Sequence, residues 1–231
     1  MNYIEGYDAN NLFIQIANKM LSSGHRNSPR GLETIELSDL WLKLNDPAQA
    51  IVTLPERNIN MDYLKGELKW YESGSLYVKD IEKHSSFWKK IANNDGTINS
   101  NYGYLAKKEQ FNDKSQLEWC IDKLLEDSNT RQAVINYNQP RHKYNDNRDF
   151  VCTISQQFIK RDNKLDSITL MRSNDLIYGL TYDLPWFTRL QEEVSNKTKI
   201  PLGYYNHYTA SMHVYKKHFK MLEQIAELSQ K

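Results

Sequence analysis

Two cysteines in 231 residues, Cys120 and Cys152, are too few for a disulfide framework, so both thiols are expected to be reduced. No stretch approaches the roughly 18 consecutive apolar residues of a membrane span. The opening MNYIEGYDANNLF has neither the basic flank nor the apolar centre of a secretory signal, so a cytoplasmic protein without a membrane partner is expected. Charge of one sign is also lacking: thirty Lys and Arg face twenty-nine Asp and Glu, a formal net charge of +1. That excludes a global field that would draw nucleic acid, so any bound anion needs a local cluster of cations. Gly-rich phosphate loops of the GxxxxGK[ST] or GxGxxG type are missing, which leaves phosphate recognition to side chains. The six histidines are scattered. His213 and His218, five apart, do not share a helix face, so no metal is expected.

What is present suits one domain over residues 1–231: 39% hydrophobic and 12% aromatic residues, with no repeat, linker or low-complexity tract. After Asp8 as a cap, ANNLFIQIANKMLSSG sets Leu12, Ile16 and Met20 at helical spacing and ends on Gly24. HRNSPRG reads as a basic loop, and ETIELSDLWLKL as a strand. MDYLKGELKWYESG predicts a helix with Leu64, Leu68 and Tyr71 on one face. SQLEWCIDKLLED predicts another, with Leu117, Ile121, Leu124 and Leu125 inward and Cys120 beside them as a structural thiol. From Thr130 onward AVINY, DFVCTISQQFIK and KLDSITLM read as strands, with a turn at 161–164. DLPWFTRLQEEVSNKT and HVYKKHFKMLEQIAELSQ return to helical periodicity, so the class is α+β.

Chemistry concentrates in a few places. LMRSNDLIYGLTYDLPWF keeps Arg172, Ser173, Asp175 and Asp183 in an apolar setting, where a charge must be solvated, paired or used. Bland readings exist for each: Asp183 could cap the helix beginning LPWF, Arg172 could pair with Asp175, and Glu67 could sit on a solvated helix face. Cys152, inside a strand-like run, reads in isolation as a buried core thiol. As a nucleophile it would need a cationic or hydrogen-bonding environment, for which Arg26, Arg30, Arg131 and Arg172 are candidates. The same guanidinium groups could hold a phosphate bidentately.

Taken together, GELKWYESGSLYVKDI (66–81), GTINSNYGY (96–104), DFVCTISQQF (149–158), MRSNDLIYGLTYD (171–183) and ASMHVYKKHF (210–219) resemble the thymidylate synthase superfamily, and within it the phage deoxycytidylate hydroxymethylase branch. The resemblance implies a mixed β-sheet packed with helices, one sheet face forming a homodimer interface. It implies 5,10-methylenetetrahydrofolate as one-carbon donor and a pyrimidine nucleotide monophosphate as substrate. It places Cys152 as nucleophile at C6, Glu67 as the carboxylate that organises water and proton transfers, and Tyr102 as its helper. Arg172 and Ser173 would hold the phosphate with Arg30, while Gln157 and Asn174 complete the nucleotide site. His213 and Tyr215 would bind the sugar hydroxyl, Trp88 and Asp175 would face the folate, and Arg131 would reach the phosphate in the partner subunit.

The departures from the family pattern select the base. Synthases carry asparagine where this chain has Asp183, and an amide serves both O4 and N3–H of uracil. Cytosine reverses that edge, and a carboxyl group, ionised or sharing a proton with N3, fits the reversal. The expected reaction is therefore conversion of dCMP to 5-hydroxymethyl-dCMP. The alternatives are a CMP hydroxymethylase, a dUMP enzyme that methylates or hydroxymethylates, and an inactive relative that binds a nucleotide or RNA. Thr153 in place of the usual histidine and Ser211 in place of the aspartate of GDxHxY also resemble the hydroxymethylase branch.

Overall fold

The computed structural model describes residues 2–230. In chain order its main elements are β1 (Asn2–Gly6), α1 (Ala9–Ser23), β2 (His25–Asn27), β3 (Thr34–Leu44), α2 (Met61–Ser73), α3 (Phe87–Ile91), β4 (Gln110–Phe111) and β5 (Lys114–Ser115). They continue with α4 (Gln116–Glu126), β6 (Val134–Asn136), β7 (Thr153–Arg161), β8 (Lys164–Met171), β9 (Asn174–Asp175), α5 (Thr181–Thr198), β10 (Leu202–Tyr215) and α6 (Phe219–Glu227). The chain forms two compact units, Met1–Ile59 with Lys160–Lys231, and Asn60–Ile159. Among the described residues no helix is long and apolar enough to cross a membrane.

The first unit is built on a mixed sheet. β1 runs parallel to β3, β10 runs antiparallel to β3, and β8 and β9 run parallel to β10. α1 buries Leu12, Phe13, Ile16, Ala17 and Met20, and α6 buries Leu222, Ile225 and Ala226 against it. Asp8 accepts from Asn11 N and Gly24 closes the C-terminus of α1, as the caps predict. α5 connects β9 to β10 and is buried on every side from Thr181 to Thr188, which suits its apolar sequence. The 161–164 turn is tight: Asp162 and Asn163 both adopt positive φ, a conformation their short polar side chains tolerate.

The second unit holds α2 to α4 and the β6–β7 pair, in which Val134 lies opposite Gln157. Asn60 caps α2 through Tyr63 N, and Gly74 ends it in the left-handed conformation. Ser115 and Glu118 form a complete capping box on α4. Its centre is aromatic: Tyr71 stacks on Tyr102 at 5.4 Å, Tyr102 meets Tyr137 edge-on, and Trp70 packs on Trp88.

Several expected boundaries move. His25–Asn27 is not a loop but a short strand paired with β3. Leu125 points outward and Leu68 is only half-buried; the inward faces are Leu117, Cys120 and Leu124 on α4, and Leu64, Glu67, Trp70 and Tyr71 on α2. β7 starts at Thr153, so Cys152 immediately precedes the strand rather than lying in it. HVY belongs to β10, not to the C-terminal helix, because pairing with β3 extends through Tyr215. α5 begins at Thr181, which puts Asp183 inside its first turn instead of at its cap.

Candidate active site

Burial distinguishes the two thiols. Cys120 is fully buried, and desolvation pushes its thiol up to about 12, so it stays protonated and inert. Cys152 is half-exposed at the mouth of β7, its Sγ 3.9 Å from Phe150 O.

In the same unit Glu67 is 4% exposed on the inward face of α2. A solvated helix face is therefore excluded. One helical turn earlier, Tyr63 donates to Glu67 Oε1 at 2.5 Å, and Trp88 Nε1 donates to Tyr63 Oη at 3.1 Å. Tyr63 thus links two of the residues expected to act, Glu67 and Trp88. Sequence reasoning missed it, although an i, i+4 Tyr–Glu pair on a helix was a visible signal. Tyr102 is buried between Tyr71 and Tyr137. Gly103 beside it is required by space, since a Cβ there would lie 1.7 Å from Tyr71 O. Arg131 is exposed, and Gln157 Nε2 donates to its backbone oxygen at 2.9 Å, so the β6–β7 pair brings these two together.

Asp149 provides the local anchor for Cys152. Its Oδ2 accepts from Asn99 N and Ser100 N at 2.6 and 2.8 Å, and its Oδ1 accepts from the Ser100 hydroxyl. The loop carrying Tyr102 and the segment leading to Cys152 are tied by one buried carboxylate.

The first unit gathers the remaining candidates where β9 meets β10. Asn174 lies opposite Met212 and Asp175 opposite His213. His213 and Tyr215 share one strand face, their rings edge to face at 5.3 Å. Arg172 and Ser173 are half-buried just before β9. Asp175 Oδ1 accepts from Ile177 N and Tyr178 N, leaving Oδ2 to receive a further donor. Arg30 is exposed in the 28–31 turn at φ 55°, whereas Arg26 is engaged in an ion pair with Glu33.

Asp183 is buried and accepts from Asn174 Nδ2 at 3.0 Å through Oδ2. Burial raises its carboxyl to about 7, opposed by the Asn174 bond and reinforced by the Asp175 charge. A group with that midpoint can present either an acceptor or a donor to a ligand at neutral pH.

A family model described as thymidylate synthase matches residues 11–231. The chain belongs to the thymidylate synthase family. With that membership it is an enzyme of folate-dependent one-carbon transfer. A deoxycytidylate 5-hydroxymethyltransferase of Enterobacteria phage T4 is 30% identical over 177 residues, 71% of each chain. A deoxyuridylate hydroxymethyltransferase of Bacillus phage SP01 is 26% identical over 226 residues, 93% of this chain and 59% of that protein. The structure of thermostable thymidylate synthase A from Bacillus subtilis superimposes with a TM-score of 0.77 at 19% identity, covering 95% of this chain and 84% of that one. The mixed sheet with its packed helices is therefore the family's α+β fold.

Proposed function

We propose that the chain is a dCMP hydroxymethylase, and the observation that carries this reading is the buried, readily protonated carboxyl of Asp183. As an acid it donates to N3 of cytosine while its other oxygen accepts from the N4 amino group. The half-exposed Cys152 is the nucleophile. Its thiolate adds to C6, which makes C5 electron-rich. 5,10-Methylenetetrahydrofolate, when bound, supplies the one-carbon unit that C5 takes up. Loss of the C5 proton with departure of tetrahydrofolate leaves an exocyclic methylene on the base, water adds to that carbon, and the thiolate departs from C6 with restoration of the ring. The net change is dCMP, methylene donor and water to 5-hydroxymethyl-dCMP and tetrahydrofolate.

Glu67, held by Tyr63, orders the water and carries protons. Tyr102 supports that water. Arg172, Ser173 and Arg30 take the phosphate, with Gln157 and Asn174 completing the nucleotide site. His213 and Tyr215 take the sugar hydroxyl. The open Oδ2 of Asp175 fits an N–H donor of the folate, and Trp88, whose Nε1 donates to Tyr63, faces the folate as well. The active form is a homodimer, and Arg131, exposed on the surface, reaches the phosphate in the partner subunit.

Product analysis by mass spectrometry with methylenetetrahydrofolate and each of dCMP, CMP and dUMP tests the reaction. In parallel, Asp183→Asn should lose most kcat/KM on dCMP and gain relative activity on dUMP. Discrimination by a buried polar pairing can reach about 10⁴-fold. An unchanged dCMP to dUMP ratio would remove the base-reading role.

A further inference from the structure

β10 carries a buried histidine for which the proposed reaction has no use. His207 is 0% exposed and Tyr205, two residues before it on the same strand face, 1%. His207 Nδ1 lies 3.0 Å from Tyr205 Oη, and His207 Nε2 lies 3.3 Å from Asn174 Nδ2, the same amide nitrogen that donates to Asp183 Oδ2. We propose that Tyr205, His207 and Asn174 form a buried hydrogen-bond chain that fixes the donor–acceptor order of the Asp183 carboxyl, which makes His207 and Tyr205 specificity-determining positioning residues. The proposal rests on the reading of Asp183 as the group facing the base.

The order follows from what each atom can do. An amide nitrogen only donates, and that of Asn174 has two hydrogens for three neighbours, Met171 Sδ at 2.6 Å, Asp183 Oδ2 and His207 Nε2; a thioether is a weak acceptor, so the hydrogens go to Asp183 Oδ2 and to the lone pair of His207 Nε2. The neutral ring then carries its hydrogen on Nδ1 and donates it to Tyr205 Oη. Burial supports this tautomeric chain, because it pushes His207 down to about 3 and keeps the imidazole neutral at any working pH. A flipped Asn174 would set its oxygen against Asp183 Oδ2 and the Nε2 lone pair, and would turn both N–H groups to the place where Oδ1 has no hydrogen-bond partner. Among the described residues, the titratable groups that act on Asp183 are Asp175 from β9 and Tyr205 from β10, with His207 reached through Asn174.

The consequence concerns a specific weakness of a carboxylic acid as a base reader. An unrestrained acid can carry its proton on either oxygen, and so can pair with the cytosine edge or with its reverse on uracil. With Oδ2 held as acceptor, the proton goes to Oδ1 and only one order remains. Gly179 protects the arrangement, since a Cβ there would come within 2.6 Å of Asn174 Oδ1 and 3.3 Å of Asp183 Oδ2.

The test uses the full chain with three substitutions. His207→Leu removes the Nε2 acceptor, His207→Gln supplies an amide oxygen that can accept from Asn174, and Tyr205→Phe removes the acceptor for Nδ1–H as a milder change. The first readout needs no substrate: the Asp183 carboxyl is titrated by carbon-13 NMR, assigned by its loss in Asp183→Asn. The second is the dCMP to dUMP ratio of kcat/KM. His207→Leu and, more weakly, Tyr205→Phe should move the Asp183 midpoint upward, and the ratio should fall by about tenfold in His207→Leu. His207→Gln should stay near wild type in both. Unchanged titration and ratio in His207→Leu and Tyr205→Phe would overturn the chain, as would a His207→Gln enzyme impaired as badly as His207→Leu, since that would mean ring volume matters and the acceptor does not. Should His207→Leu fail to fold, the other two variants decide. A moved midpoint in an enzyme whose wild type has no preference for dCMP supports the ordering of Asp183 and counts against its base-reading role alone.

Discussion

Residue by residue, burial sorts chemical groups that look alike in sequence. Cys152→Ser should abolish turnover and tritium release from C5 while nucleotide binding persists, because a hydroxyl without an activating base is a poor nucleophile. Cys120→Ser should cost some stability and little activity, since its thiol lies in the packed face of α4; comparing the two variants in one assay separates nucleophile from core. Asp183 makes a stability prediction as well. Its folded midpoint, about 7, lies above the 3.8 of a free aspartate side chain, so between those pH values the folded state holds a proton that the unfolded chain has released. Stability from this group is full below about pH 4 and is lost as pH rises through 7. At about 1.4 kcal/mol per unit the loss is at most roughly 4 kcal/mol. Asp183→Asn should flatten that slope, read from urea midpoints of the ligand-free protein at pH 5 and pH 8; identical slopes in both proteins would contradict a buried, proton-holding carboxyl.

Elements position these groups through close approaches that tolerate little change. α2 presents Tyr63 and Glu67 one turn apart, and the helix meets the loop carrying Tyr102 at Gly103, where the backbone of Tyr71 leaves no room for a methyl group. Gly103→Ala has no conformational penalty in its φ, −67°, so its whole cost is steric. It should destabilise by about 2 kcal/mol and lower kcat by displacing Tyr102, with thermal melting and steady-state kinetics as the checks. A neutral result would mean that the loop can move away without consequence. The element patterns themselves were legible in sequence for α1, β3, β8 and α4, where periodicity and caps agree. They failed at 25–27 and 213–215, where short runs carry no helical or strand period of their own and pairing with β3 decides.

For the whole molecule the proposal of a shared site makes a demanding prediction. Tyr3, Trp41 and Tyr208 lie in register across β1, β3 and β10, with Tyr3 half exposed, an aromatic row suited to covering by a second copy. If Arg131 serves the partner, mixing inactive Cys152→Ser with inactive Arg131→Ala should restore activity, to about one quarter of the wild-type specific value after random exchange of equal amounts. Half of the protein is then mixed dimer, and each mixed dimer has one site free of both defects. No recovery after exchange has been verified by tagged subunits would argue for sites complete within one chain.

The sequence by itself determined the family and the class, and it nominated the candidate site residues, because motif order and residue type survive without knowledge of contacts: Cys152, Glu67, Arg172 and Asp183 could all be named as candidates from their neighbours along the chain. Tertiary structure alone decided their states. Glu67 and Asp183 look like a helix-face glutamate and a helix cap in sequence, and only packing shows that both are buried and bonded, one by Tyr63 and the other by Asn174. Nothing local in YYNHYTA marks His207 as a partner of Asn174, thirty-three residues away. Protonation depends on desolvation and on neighbours brought from distant segments, and those exist only once the chain has folded.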